Sequence, residues 1–99
     1  MAEKYNLKCR IRKGMFDNEY LVIFEAFGPN GKKVQMCTFA DKEEISVNSF
    51  PNNENEEVDA YISVSPLDLQ KRISSVALPR PTFANGTVVV IESCNLVGT

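Results

Sequence analysis

The stretch Glu19-Tyr20-Leu21-Val22-Ile23-Phe24-Glu25-Ala26-Phe27, then Gly28-Pro29-Asn30-Gly31, then Lys33-Val34-Gln35-Met36-Cys37-Thr38-Phe39-Ala40, decides the fold class. The first limb is apolar on both faces, as expected of a strand covered on both sides. The Gly-Pro-Asn-Gly run is the strongest turn signal in the chain. Proline pre-sets its own φ, and Asn and Gly accept positive φ. The second limb alternates, with Val34, Met36 and Thr38 opposite Gln35, Cys37 and Phe39. Together they predict a β-hairpin.

Before this hairpin, Tyr5-Asn6-Leu7-Lys8-Cys9-Arg10-Ile11-Arg12 alternates strictly. Tyr5, Leu7, Cys9 and Ile11 fall on one face, and Asn6, Lys8, Arg10 and Arg12 on the other. That pattern predicts a strand with one buried and one wet face. Gly14, Asp17 and Asn18 supply a turn after it.

After the hairpin, Glu43–Ser49 alternates again, with Ile45 and Val47 as its apolar side. Residues 50–57 are polar, acidic and rich in Asn, which predicts a surface loop. Val58–Ser65 reads as a strand with Val58, Ala60, Ile62 and Val64 on one face. Ser65-Pro66-Leu67-Asp68 carries helix-start chemistry: a capping Ser, Pro at the first helical position and Asp in the first turn. A short helix is therefore expected over 66–72. Residues 73–78 fit either a continued helix or a strand. Pro79-Arg80-Pro81 reads as a rigid connector. Asn85-Gly86 predicts a two-residue hairpin turn leading into a β-branched strand, Thr87–Cys94.

The expected fold is thus all-β with one short helix: a small β-barrel of the oligonucleotide-fold or SH3-like kind, from about six short strands. Its 99 residues suit a single domain over 1–99. Ile23, Ile62, Val64, Val89 and Ile91 are the expected core. No secretory signal is read at the N-terminus, and the longest apolar runs are far too short for a membrane helix. Cys9, Cys37 and Cys94 are odd in number and widely spaced, which suits reduced thiols rather than a disulfide framework. A cytoplasmic protein without membrane attachment is expected.

The chain contains no histidine. That removes the usual general base, the Ser-His and Cys-His dyads and imidazole metal ligands. The cysteines lack the spacing of a zinc or dithiol motif, and no Gly-rich phosphate loop is present. Asn53, Asn55, Glu57 and Asp59 alternate as calcium ligands can, but without the glycine and terminal Glu of an EF-hand. No cofactor and no metal site are expected. Adjacent carboxylates such as Glu43/Glu44 would point to opposite faces of a strand, which does not suggest a glycosidase pair.

The net charge of −2 hides an uneven layout. Residues 1–13 carry five basic side chains against one acidic, and residues 41–59 seven acidic against one basic. Lys8, Arg10 and Arg12 form the candidate binding stripe, projecting from one face at a repeat of about 6.8 Å, twice the strand rise. That spacing approaches the phosphate repeat of an extended single strand, for which Phe16 and Tyr20 are candidate stacking platforms. The same charges on an outer strand also serve solubility and block edge pairing.

Three functions are therefore weighed. The leading expectation is a non-catalytic binding or assembly module acting through protein–protein contacts, with a protein partner or a homo-oligomer. The second is a single-stranded nucleic-acid binder using the basic stripe. The third is a small histidine-free enzyme.

Overall fold

The computed structural model describes residues 5–16, 18–82 and 86–98. The strands are β1 (Tyr5–Lys13), β2 (Glu19–Phe27), β3 (Lys33–Asp41), β4 (Ile45–Ser46), β5 (Glu57–Asp68), β6 (Ile73–Ala77), β7 (Val88–Glu92) and β8 (Leu96–Gly98). They join in one curled antiparallel sheet, ordered β3-β2-β1-β5-β6-β7, with β4 added to β5 and β8 to β1. The result is a half-barrel.

The predicted hairpin forms with an unbroken register from Glu19↔Asp41 to Phe27↔Lys33. Its turn closes through Gly31 N–H to Gly28 O at 2.9 Å. Gly31 adopts φ +79, a conformation that costs a side-chain-bearing residue energy and glycine little.

The curl comes from β5. Its first half, Glu57–Val64, pairs along β1 from Arg12 to Tyr5. Its second half leaves β1 and pairs with β6, through Ser65↔Ala77, Pro66↔Val76 and Asp68↔Ser75. A register irregularity lies between Pro66 and Asp68. Bulges bend a strand and raise its local twist. The expected helix at 66–72 is therefore replaced by strand and turn. Proline lacks a ladder donor but is accommodated at a bulge, and a helix of some seven residues is marginal without a docking face. Ser65, the expected cap, is paired in the ladder instead.

One other expectation needs correcting. The strand expected over 43–49 shrinks to Ile45–Ser46, because Lys42–Glu44 forms a 3-10 turn. Asp41 N–H donates to Glu44 Oε1 at 2.8 Å, turning the chain there. The turn expected at Asn85-Gly86 involves Asn85, which lies outside the described residues. What is described is a longer connection: β6 ends at Ala77 and β7 begins at Val88. Within it, Leu78 N–H bonds Thr87 O at 2.8 Å, and Thr82 N–H bonds Gly86 O at 2.9 Å.

The core lies inside the curl. Leu7, Ile11, Val22, Ile62, Val76 and Ile91 are fully buried, with Phe24, Met36, Val64, Leu78 and Val89 around them. All five expected core residues are buried. By alternation, however, Ile23 belongs to the opposite, outward face of β2, while Val22 and Phe24 face the core. Among the described residues, no helix is long and apolar enough to cross a membrane.

Candidate functional site

The predicted parity of β1 holds. Leu7, Cys9 and Ile11 are buried, Lys8 and Arg10 are exposed, and Arg12 is half-buried on the outward face. The three basic residues thus share one side of the sheet. Their strand is not at an edge: β1 runs between β2 and β5. Its charges consequently stand among the side chains of two neighbours.

On β2 they are Ile23 and Leu21, opposite Arg10 and Arg12, while β5 supplies two carboxylates. In register, Lys8 lies opposite Tyr61 of β5, Arg10 opposite Asp59 and Arg12 opposite Glu57. The Arg10 guanidinium pairs diagonally with Glu57, Nη1 to Oε1 at 2.9 Å. Arg12 Nη2 donates to the Glu54 carbonyl at 3.3 Å, reaching the acidic loop. The basic and acidic stretches, far apart in the chain, meet across the β1–β5 ladder. Of the residues named as calcium ligands, Glu57 is engaged by Arg10, and Asn53 Oδ1 accepts from Asn55 N–H at 3.1 Å. Among the described residues, no group of three or more Asp, Glu or Cys side chains is placed to hold a metal ion.

A cleft of about 350 Å³ opens on this face. It arises from a fork in the sheet. On one side of β1, pairing with β2 runs from Lys13 to Arg10, and pairing with β8 covers Leu7 to Tyr5. The gap left beside Lys8 and Cys9 is lined by Lys8, Arg10, Glu25, Asp59 and Asn95, with Ile23 and Phe24 below. Two basic and two acidic side chains therefore share its lining. Beneath lies Cys9, 4% exposed. Burial pushes its thiol up to about 12, and the Asp59 carboxylate adds to the shift by disfavouring a nearby thiolate.

The expected stacking platforms are elsewhere. Phe16 is exposed between β1 and β2, whereas Tyr20 packs on the core side, its ring centroid 4.9 Å from that of Phe50. Lys13 falls on the Tyr20 side by alternation, and Lys4 lies outside the described residues. The aromatic side chain beside the stripe is Tyr61, 37% exposed and opposite Lys8. The alternation of residues 58–65 sets Tyr61 on the face opposite Val58, Ala60, Ile62 and Val64. Only the β1–β5 register places it next to Lys8.

A second surface lies on the β5–β7 part of the sheet. Leu67, Leu69, Ile73 and Val88 are 57%, 42%, 45% and 55% exposed. Beside Ile73 is a shallow depression of about 390 Å³, lined also by Phe27, Lys71, Arg72, Glu92 and Cys94. Lys33 Nζ donates to Glu92 Oε1 at 2.9 Å at its margin. That hydrogen bond, and then the carboxylate's charge, hold the Lys33 ammonium above its ordinary range. No protein family, curated protein or solved structure compared with this chain matches it.

Proposed function

We propose that this chain is a non-catalytic binding or assembly module that acts through protein–protein contacts. The observation that carries this reading is a set of exposed large apolar side chains in the β5–β7 region. Leu67, Leu69, Ile73 and Val88 face solvent while the interior of the curl is closed. Large apolar side chains left in solvent on a small domain are candidate contact points for a partner. The finer architecture, a barrel of the oligonucleotide-fold or SH3-like kind, is proposed from the same curl. A strand shared between two halves of a sheet is how small barrels bend. The test is affinity capture with the purified chain as bait, against Ile73→Lys and against Lys8, Arg10 and Arg12 replaced by Ser. A partner lost with Ile73→Lys supports the β5–β7 surface. One lost only with the Ser variant moves the contact to β1. Partners indifferent to both sink the reading.

A second reading rests on one feature, the exposed Tyr61 ring opposite Lys8. A base stacked there with phosphates along β1 would make a single-stranded nucleic-acid site. Glu25, Glu57 and Asp59 on the same face weigh against it, since each repels a phosphate. Fluorescence anisotropy with short single-stranded RNA and DNA at low and physiological salt decides. Binding that falls steeply with salt, and is lost when the three basic residues become Ser, promotes this reading. Absence of binding at low salt retires it.

A further inference from the structure

Loops that carry charge are ordinarily the mobile parts of a fold. The turn Leu69-Gln70-Lys71-Arg72, between β5 and β6, is instead pinned from beneath. Ser74 is 2% exposed, and its hydroxyl accepts the Gln70 N–H at 3.2 Å. Ser74 Oγ lies 2.6 Å from Ser93 Oγ, and Ser93 Oγ donates to the Gln70 carbonyl at 2.6 Å. The Ser93 N–H donates to the Arg72 carbonyl at 2.8 Å. These bonds satisfy the buried Ser74 hydroxyl and fix the turn against the 3-10 turn Ser93–Asn95.

The pinned turn presents Lys71 and Arg72 to solvent, followed by Ile73 at the start of β6. Among the described residues, neither the Lys71 ammonium nor the Arg72 guanidinium has an ion-pair or hydrogen-bond partner. Both line the depression of about 390 Å³ beside Ile73, together with Phe27. Its other charged lining residue, Glu92, is engaged by Lys33 at 2.9 Å. The depression thus joins apolar lining to two uncommitted positive charges, on a chain whose net charge is −2. The cleft beside Lys8 differs, since its lining carries both signs in equal number.

We propose that this depression binds an acidic, apolar segment of another protein: one or two Asp or Glu side chains beside a bulky apolar one. This rests on the protein-contact reading above and names the chemistry of the partner. The apolar side chain covers Ile73 and Phe27. The carboxylates meet the Arg72 fork, which suits two parallel hydrogen bonds, and the Lys71 ammonium, which acts as a point charge. Because the turn is already fixed, little ordering entropy is lost there on binding. A nucleic-acid strand is the poorer fit. It presents a phosphate at every nucleotide to only two cations, with Glu92 beside them.

Selection of random short peptides against the immobilised full chain tests it, with multivalent display so that weak contacts add. Peptides that combine Asp or Glu with a bulky apolar residue should be enriched. One of them, synthesised with a fluorophore, is then titrated by anisotropy. Lys71→Glu with Arg72→Glu, checked for folding by circular dichroism, should weaken it about tenfold, as expected for two exposed ion pairs. The same variant should gain the counterpart peptide in which Lys replaces each acid, a rescue that a folding defect cannot produce. Ile73→Ser should weaken binding of the acidic peptide as well. Enriched peptides without acidic residues, or indifferent to the double charge reversal, overturn the inference. So does a selection that enriches nothing. So does binding of single-stranded DNA or phosphatidylserine vesicles through Lys71 and Arg72 with no acidic peptide bound. After any of these, a captured protein lost with Ile73→Lys keeps the wider protein-contact reading alone, and captured partners indifferent to every variant end both.

Discussion

Arg80 Nη2 lies 2.6 Å from Asp41 Oδ2, tying the connection between β6 and β7 to the end of β3. The same guanidinium faces Glu44 at 3.7 Å and Glu19 at 3.9 Å. Glu19 and Asp41 are register partners across the hairpin, so Arg80 neutralises carboxylates that the fold itself brings together. Residues 80–82 thereby cover the open side of β3 over Thr38.

Two substitutions separate charge from burial in this clamp. Arg80→Gln should cost about 1 kcal/mol, the upper part of the range for exposed ion pairs, because the carboxylates left behind repel each other. High salt should reduce the loss. Thr38→Val removes a hydroxyl from a residue with no exposed surface, and should cost about 1–2 kcal/mol at any salt concentration. Urea titration at low and high salt reads both. An Arg80→Gln loss that salt leaves unchanged would mean the residue acts by packing.

Ile62 is fully buried, opposite Leu7 of β1 and Ile45 of β4. Ile62→Ala should therefore cost about 2–5 kcal/mol, from lost transfer energy plus the cavity left behind. Leu67 is 57% exposed despite its apolar side chain. Leu67→Ala should stay within about 0.5 kcal/mol. Thermal denaturation of the pair checks which face Leu67 takes at the irregularity in β5. A large loss at Leu67 would place that side chain in the core.

How far the sequence could be read follows from where its information is local. The period-two patterns of residues 5–12, 33–40 and 58–65 survive as β1, β3 and the first half of β5, because alternation fixes which face is buried. Pro66 misled because its helix-start chemistry is local, while its pairing with Val76 depends on a strand ten residues away. The basic stripe on Lys8, Arg10 and Arg12 was legible as a face. Its neighbours Asp59, Glu57 and Tyr61 were not, since the β1–β5 register spans some fifty residues of chain.

The three thiols should differ sharply in reactivity. Cys94 is exposed, Cys37 is half-buried and Cys9 is buried with its thiol pushed up to about 12. Since the thiolate is the nucleophile, a maleimide or iodoacetamide pulse should label Cys94 first, Cys37 more slowly and Cys9 only on unfolding. Mass spectrometry of the digested protein reads the order. Labelling of Cys9 at the rate of Cys94 would mean that the strand fork opens readily.

The same thiol sets a pH limit on stability. Below pH 9 Cys9 is protonated in both the folded and the unfolded chain, so its contribution is constant. Between 9 and about 12 the unfolded chain loses the proton while the folded chain keeps it. The unfolded state then binds fewer protons, and stability falls as pH rises, by up to about 1.4 kcal/mol per unit from this group. Other groups titrate in the same range, so the comparison is with Cys9→Ala. That variant should be less stable than wild type at neutral pH, by about 1 kcal/mol as for a typical core truncation. The gap should narrow from pH 9, close near pH 10 and reverse above it. Denaturant melts at successive pH values measure it, and a gap that stays constant to pH 11 would show that Cys9 ionises freely in the folded protein.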